Sequence, residues 1–83
     1  MNIHPVFIGI DVSKDRLDIF DGQTSSCANA RDAIAPMAQR WAETRAFVVF
    51  EATGAYDKPL RHALQAAGVS LSLIHISEPT RPY

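Results

Sequence analysis

Two stretches of the chain are apolar without interruption, and each stops at an acid. Val6-Phe7-Ile8-Gly9-Ile10 runs into Asp11, and Ala46-Phe47-Val48-Val49-Phe50 runs into Glu51. Continuous runs of this length mark strands covered on both faces, as at the centre of an α/β sheet. Residues 16–20 alternate instead, with Leu17 and Ile19 on one face, and predict a half-buried strand. The polar connection 12–15 between these first two strands is short enough to make them an antiparallel hairpin. Asp21-Gly22 supplies the next turn. Residues 23–28, poor in large apolar side chains, read as a weak third strand towards an edge.

The period then changes. Ile34, Met37, Ala38 and Trp41 recur at helical spacing, with Asn29 and Asp32 as candidate N-caps. A proline costs about 3 kcal/mol inside a helix but is tolerated in the first turn. Pro36 therefore predicts a regular helix over 32–43. A second helix is expected over 56–67: Asp57 can cap it, Pro59 lies in its first turn, and Leu60, Ala63, Leu64 and Ala67 share a face. Gly68 is well placed as the C′ residue, and Val69 begins a further strand. The predicted order is β-β-β-α-β-α-β, an α/β fold with a mixed sheet.

Composition bounds what such a fold can do. The chain has 83 residues, enough for one small domain with a marginal core. Its formal charge of −1 argues against a histone-like or arm-type nucleic-acid binder, which needs a basic excess. Cys27 stands alone, so there is no internal disulfide framework and no cysteine-cluster zinc site. The apolar runs are too short to span a bilayer, and the first residues lack the pattern of a signal peptide. These features predict a cytoplasmic protein with no membrane partner.

Against that background the two acids carry the chemistry. If the first and fourth strands are parallel neighbours, Asp11 and Glu51 emerge at one sheet edge. Ligand sites of open α/β sheets lie at the carboxyl ends of strands. Two hard oxygen donors there suit Mg²⁺ or Mn²⁺, and a pair of such ions supports phosphodiester chemistry. Strand-terminal acids also serve as ordinary turn and cap residues. A hairpin with an acid at the end of its first strand, then a helix, then a strand ending in Glu, is nevertheless the layout of the ribonuclease-H-like fold.

Other residues are open to two readings. Ser13 and Lys14 could face a phosphate backbone or be hairpin-turn polars. Thr53 and Gly54 precede a helix amino terminus, a ready anion site, although Gly54 also suits a tight turn. Tyr56 could stack on a base or pack under its loop. His4 and His62 have no ligand-spaced partners. Trp41 belongs to the core, and Cys27 reads as a small apolar residue without thiolate activation.

The segment from Phe7 to Asp18, FIGIDVSKDRLD, followed by VFEATGAY from Val49 to Tyr56, resembles the amino-terminal domain of the insertion-sequence 110 family of transposases. These are DEDD transposases, related to Piv-type DNA invertases, with a RuvC-like catalytic domain. The likeness covers roughly residues 5–70. It implies that Asp11 and Glu51 are the first two acids of a D-E-D-D tetrad that binds Mg²⁺ or Mn²⁺. The remaining aspartates and a carboxy-terminal domain with a cleavage serine would lie beyond residue 70. The implied activity is metal-dependent cleavage and strand transfer of DNA. The implied partners are insertion-element and target DNA, an element-encoded guide RNA and further copies of the full-length transposase, in a prokaryotic cytoplasm.

The likeness ends abruptly. Residues 71–81, LSLIHISEPTR, resemble a translated sequencing-library adapter and can be back-translated into a transposon mosaic end. The expected organisation is therefore 1–70 as the amino-terminal part of a RuvC-like transposase domain and 71–83 as an appended tail. His75 and Glu78 accordingly drop out as site candidates. The alternation from Val69 to Ile74 allows the tail to complete a fifth strand by chance. Alone, such a fragment is expected to be inactive. Two other readings stay open at this point. One is a nucleotide-binding fold of the actin, sugar-kinase and heat-shock-chaperone type, whose first hairpin normally carries glycines that Val12-Ser13-Lys14 lacks. The other is a small, non-enzymatic nucleic-acid-binding module.

Overall fold

A computed structural model of the chain describes residues 6–51 and 54–74. Strands β1 (Phe7–Val12), β2 (Arg16–Phe20) and β3 (Thr24–Ala28) come first. Helix α1 (Arg31–Glu43), β4 (Phe47–Glu51), helix α2 (Lys58–Ala67) and β5 (Ser70–Ile74) follow. The fold is α/β: one mixed five-stranded sheet with two helices. In space the strands run β3-β2-β1-β4-β5. β1–β2 and β2–β3 pair antiparallel, whereas β1–β4 and β4–β5 pair parallel. The predicted hairpin and the predicted edge position of the third strand are both present.

One hydrophobic core lies between the sheet and the helices. Ile8, Ile10, Val12, Leu17, Ile19, Val48 and Phe50 meet Ile34, Ala38, Trp41, Leu60, Ala63 and Leu64 there. Side chains alternate across a strand, so the intervening residues face the other way. Among the described residues nothing covers that second face. Phe7 and Phe20 are 61% and 49% exposed on it, and Phe7 meets Phe47 edge-on at 5.9 Å. The continuous apolar runs predicted cover on both faces; the two helices of the described chain cover one.

The helix starts depart from expectation. Neither Asn29 nor Asp32 caps α1. Its N-cap is Ala30, in extended backbone, whose methyl side chain has no oxygen to cap with; Asn29 lies one residue earlier and donates its amide elsewhere. The helix begins at Arg31, so Pro36 lies beyond the first turn and inside the helix. Its missing N–H leaves the Asp32 carbonyl without a helical donor, tolerable because both residues face solvent. α2 begins at Lys58 rather than residue 56. Asp57 holds the N-cap position with helical backbone (φ −87°, ψ −1°), so its side chain does not cap. Instead it is 1% exposed and pairs with Arg61 at 3.6 Å.

Candidate functional site

The registered pairs of β1 with β4 run from Phe7↔Phe47 to Ile10↔Phe50. Asp11 and Glu51 are the next residue on each strand. Their neighbours Ile10, Val12 and Phe50 are buried under the helices, so both acids belong to the uncovered face. Asp11 is exposed and Glu51 half-buried. Both line a shallow depression of about 260 Å³ with Gly9, Phe20, Val49 and Ile74. A Cβ built on Gly9 would meet nothing within 4 Å, so the floor beside Asp11 is open. β1 continues through Val12, which places Asp11 inside the strand rather than at its last residue.

A third acid stands beside Asp11, on the side away from Glu51. Asp18 lies directly across from Asp11 in the hairpin register, and Arg16 holds it with Nε 3.3 Å from Oδ1. The sequence shows Asp18 on the polar face of an alternating strand, but only the register reveals its partner. The donor set of Asp11 and Glu51 is hard oxygen, the kind that Mg²⁺ and Mn²⁺ take with water and phosphate completing the octahedron. Two carboxylates sharing one end and one face of the sheet fit part of such a coordination shell. Among the described residues no group of three or more His, Cys, Asp or Glu forms a ready-made metal cage.

The remaining candidates separate. Ser13 closes the hairpin turn: its backbone N–H and its hydroxyl both donate to the Arg16 carbonyl, at 3.0 and 2.8 Å. Lys14 is exposed and lines a groove with Asp15, Arg16, Ser26 and Cys27, away from the acid pair. Gly54 is exposed with φ 87°, the left-handed geometry that favours glycine. Thr53, His4, His75 and Glu78 lie outside the described residues. Tyr56 is 47% exposed, His62 projects from α2 into solvent, and Trp41 is buried in the core. Burial pushes the Cys27 thiol up from 9.0, away from thiolate reactivity.

Asn29 is the residue that a reading of the chain misassigns. Its Nδ2 donates to the Ser13 carbonyl at 2.9 Å and to the Tyr56 carbonyl at 2.8 Å. These partners lie on the two loops that follow Asp11 and Glu51. Asn29 sits where a cap belongs, so the local signal hides the long-range role.

No family model matches the chain, and no curated protein matches it. Among the described residues no helix is long and apolar enough to cross a membrane.

Proposed function

We propose that the chain is the amino-terminal part of a ribonuclease-H-like, RuvC-type DNA transposase or recombinase that cleaves phosphodiesters with Mg²⁺ or Mn²⁺. The observation that carries this reading is the Asp11–Glu51 juxtaposition beyond the last β1–β4 pair, on the uncovered sheet face. The strand order β3-β2-β1-β4-β5 supports it, because that order sets the acid-bearing strands side by side and parallel. The resemblance of the two acid motifs to the insertion-sequence 110 family supplies the substrate class: element and target DNA, with a guide RNA. On the same reading residues 1–70 are the amino-terminal part of that domain and residues 71–83 are an appended tail.

In this reading Asp11 and Glu51 hold the ion through carboxylate oxygens. When bound, it supplies Lewis-acid polarisation of the phosphate and a nucleophile of lowered pKa. The open floor at Gly9 leaves room for a sugar-phosphate backbone to approach. Arg16 keeps Asp18 paired, so the third carboxylate is partly neutralised beside Asp11. The hairpin turn carries no glycine and is closed by Ser13, which disfavours the nucleotide-binding alternative, whose turn must admit phosphates at the backbone.

Mn²⁺ titration of the chain, followed by the electron-spin signal of the free ion, tests the reading. Weak binding that Asp11→Asn and Glu51→Gln each abolish is expected, with no nicking of supercoiled DNA in Mg²⁺. Binding indifferent to both substitutions, or nicking by this chain, overturns it.

A further inference from the structure

Between β1 and β4 the registered pairs stop at Ile10↔Phe50, one residue short of the acids. At the level of the acids each strand is tied outward. Asp11 pairs with Asp18 on β2, and Glu51 pairs with Ile74 on β5. The last registered β1–β4 pair lies one residue before the acids, so the segments that follow each strand also bear on how the acids are held. One side chain ties those two following segments to each other.

That side chain is Asn29. Its backbone N–H donates to the Asp15 carbonyl at 3.1 Å, which anchors it to the turn leaving β1. The two protons of its side-chain amide then reach in two directions. One side is the Ser13 carbonyl at 2.9 Å, with the Lys14 carbonyl at the outer limit of 3.5 Å. The other is the Tyr56 carbonyl at 2.8 Å, on the loop leaving β4. Asn29 Oδ1 is buried without a partner among the described residues, so the side chain acts here through its donating end. A carboxamide offers two N–H donors on one nitrogen, whereas a carboxylate of the same shape offers none.

We propose that Asn29 is a positioning residue: a clasp that fixes the β1–β2 turn against the loop after β4 and thereby sets the spacing of Asp11 and Glu51. This rests on the metal-site reading above. Asn29 touches neither acid and holds no ion. It acts on the two backbone segments that follow them. Groups that orient metal ligands from behind typically change affinity 10–100-fold when removed.

The test uses the 83-residue chain with Mn²⁺ as the probe and a melting curve for each variant. Asn29→Ala and Asn29→Asp are expected to bind Mn²⁺ at least about tenfold more weakly than wild type. Asn29→Asp isolates the donor, because it keeps the shape and turns two donations into carbonyl–carboxylate repulsions. Ile34→Val trims the core beneath α1 and controls for lost stability; it is expected to melt lower and keep wild-type affinity. Asn29→Ser, which keeps one donor, decides the matter if the other two variants do not fold, and intermediate affinity is expected. Wild-type affinity in folded Asn29 variants overturns the clasp while leaving the metal site standing. So does an affinity loss in Ile34→Val equal to that in Asn29→Ala. Equal affinity in wild type and Asp11→Asn instead overturns the metal reading, and this proposal with it.

Discussion

Asp11 and Asp18 face each other across an antiparallel pair, an arrangement that costs stability when both are ionised. Arg16 relieves it only in part, since that ion pair is largely exposed and such pairs contribute little. Asp11→Asn is therefore expected to stabilise the metal-free chain by about 0.2–1 kcal/mol, read as a higher melting midpoint. A lower midpoint would show that Asp11 is held by contacts other than Asp18. The candidate acids are legible in sequence because each terminates an apolar run. Asp18 is not, because its place beside Asp11 depends on hairpin register. Asn29 is not, because asparagine before a helix signals a cap and its partners are far away in sequence. Cys27 gives a pH prediction. Its folded thiol titrates above 9.0, so the neutral form is favoured in the fold. That contribution is fully present below pH 9.0 and is lost as pH rises through the folded value. Stability measured by urea unfolding should decline on the alkaline side, and Cys27→Ala should remove that part of the decline.

Both helices end in the same backbone motif, with different residues in the left-handed position. After α2, Gly68 (φ 79°) donates to the Gln65 carbonyl, and Val69 donates to Leu64. After α1, Arg45 (φ 58°) donates to the Ala42 carbonyl, and Ala46 donates to Trp41. This is the Schellman closure, which glycine adopts without penalty and arginine does not. Arg45→Gly should stabilise the chain by roughly 0.5–1 kcal/mol, and Gly68→Ala should destabilise it by about 1 kcal/mol. Opposite signs in thermal melts check the pair; equal signs would refute the shared motif. The glycine makes the end of α2 legible in sequence, while arginine carries no left-handed signal at the end of α1. Pro36 misleads in the same way, because proline normally marks a first turn and here sits deeper.

The element order and the pairing of the hairpin follow from the hydrophobic pattern. The bare second face does not, since a run such as Val6–Ile10 looks the same whether one face or two are covered. β5 lies mostly in the stretch that resembles an adapter translation, yet it pairs parallel with β4 throughout and seats Leu71 and Leu73 against the core. Alternation alone suffices for this, because an edge strand needs one apolar face and free backbone groups. Deleting residues 71–83 strips that seat and the β4 ladder partner. Two half-buried leucines are worth about 3 kcal/mol, a large share of a small domain's stability. The melting midpoint should fall by roughly 10–20 °C, and an unchanged midpoint would show that β5 contributes nothing to folding. Asp11 and Glu51 are proposed above as one ion-binding locus on the uncovered face of β1 and β4. Amide-resolved NMR of the chain during Mn²⁺ titration locates that locus directly. Signals of Asp11, Asp18, Glu51 and Ile74 should broaden first, and Asp11→Asn should abolish the effect. Broadening centred on other acids, such as Asp21 or Glu43, or spread evenly over the surface, would contradict it.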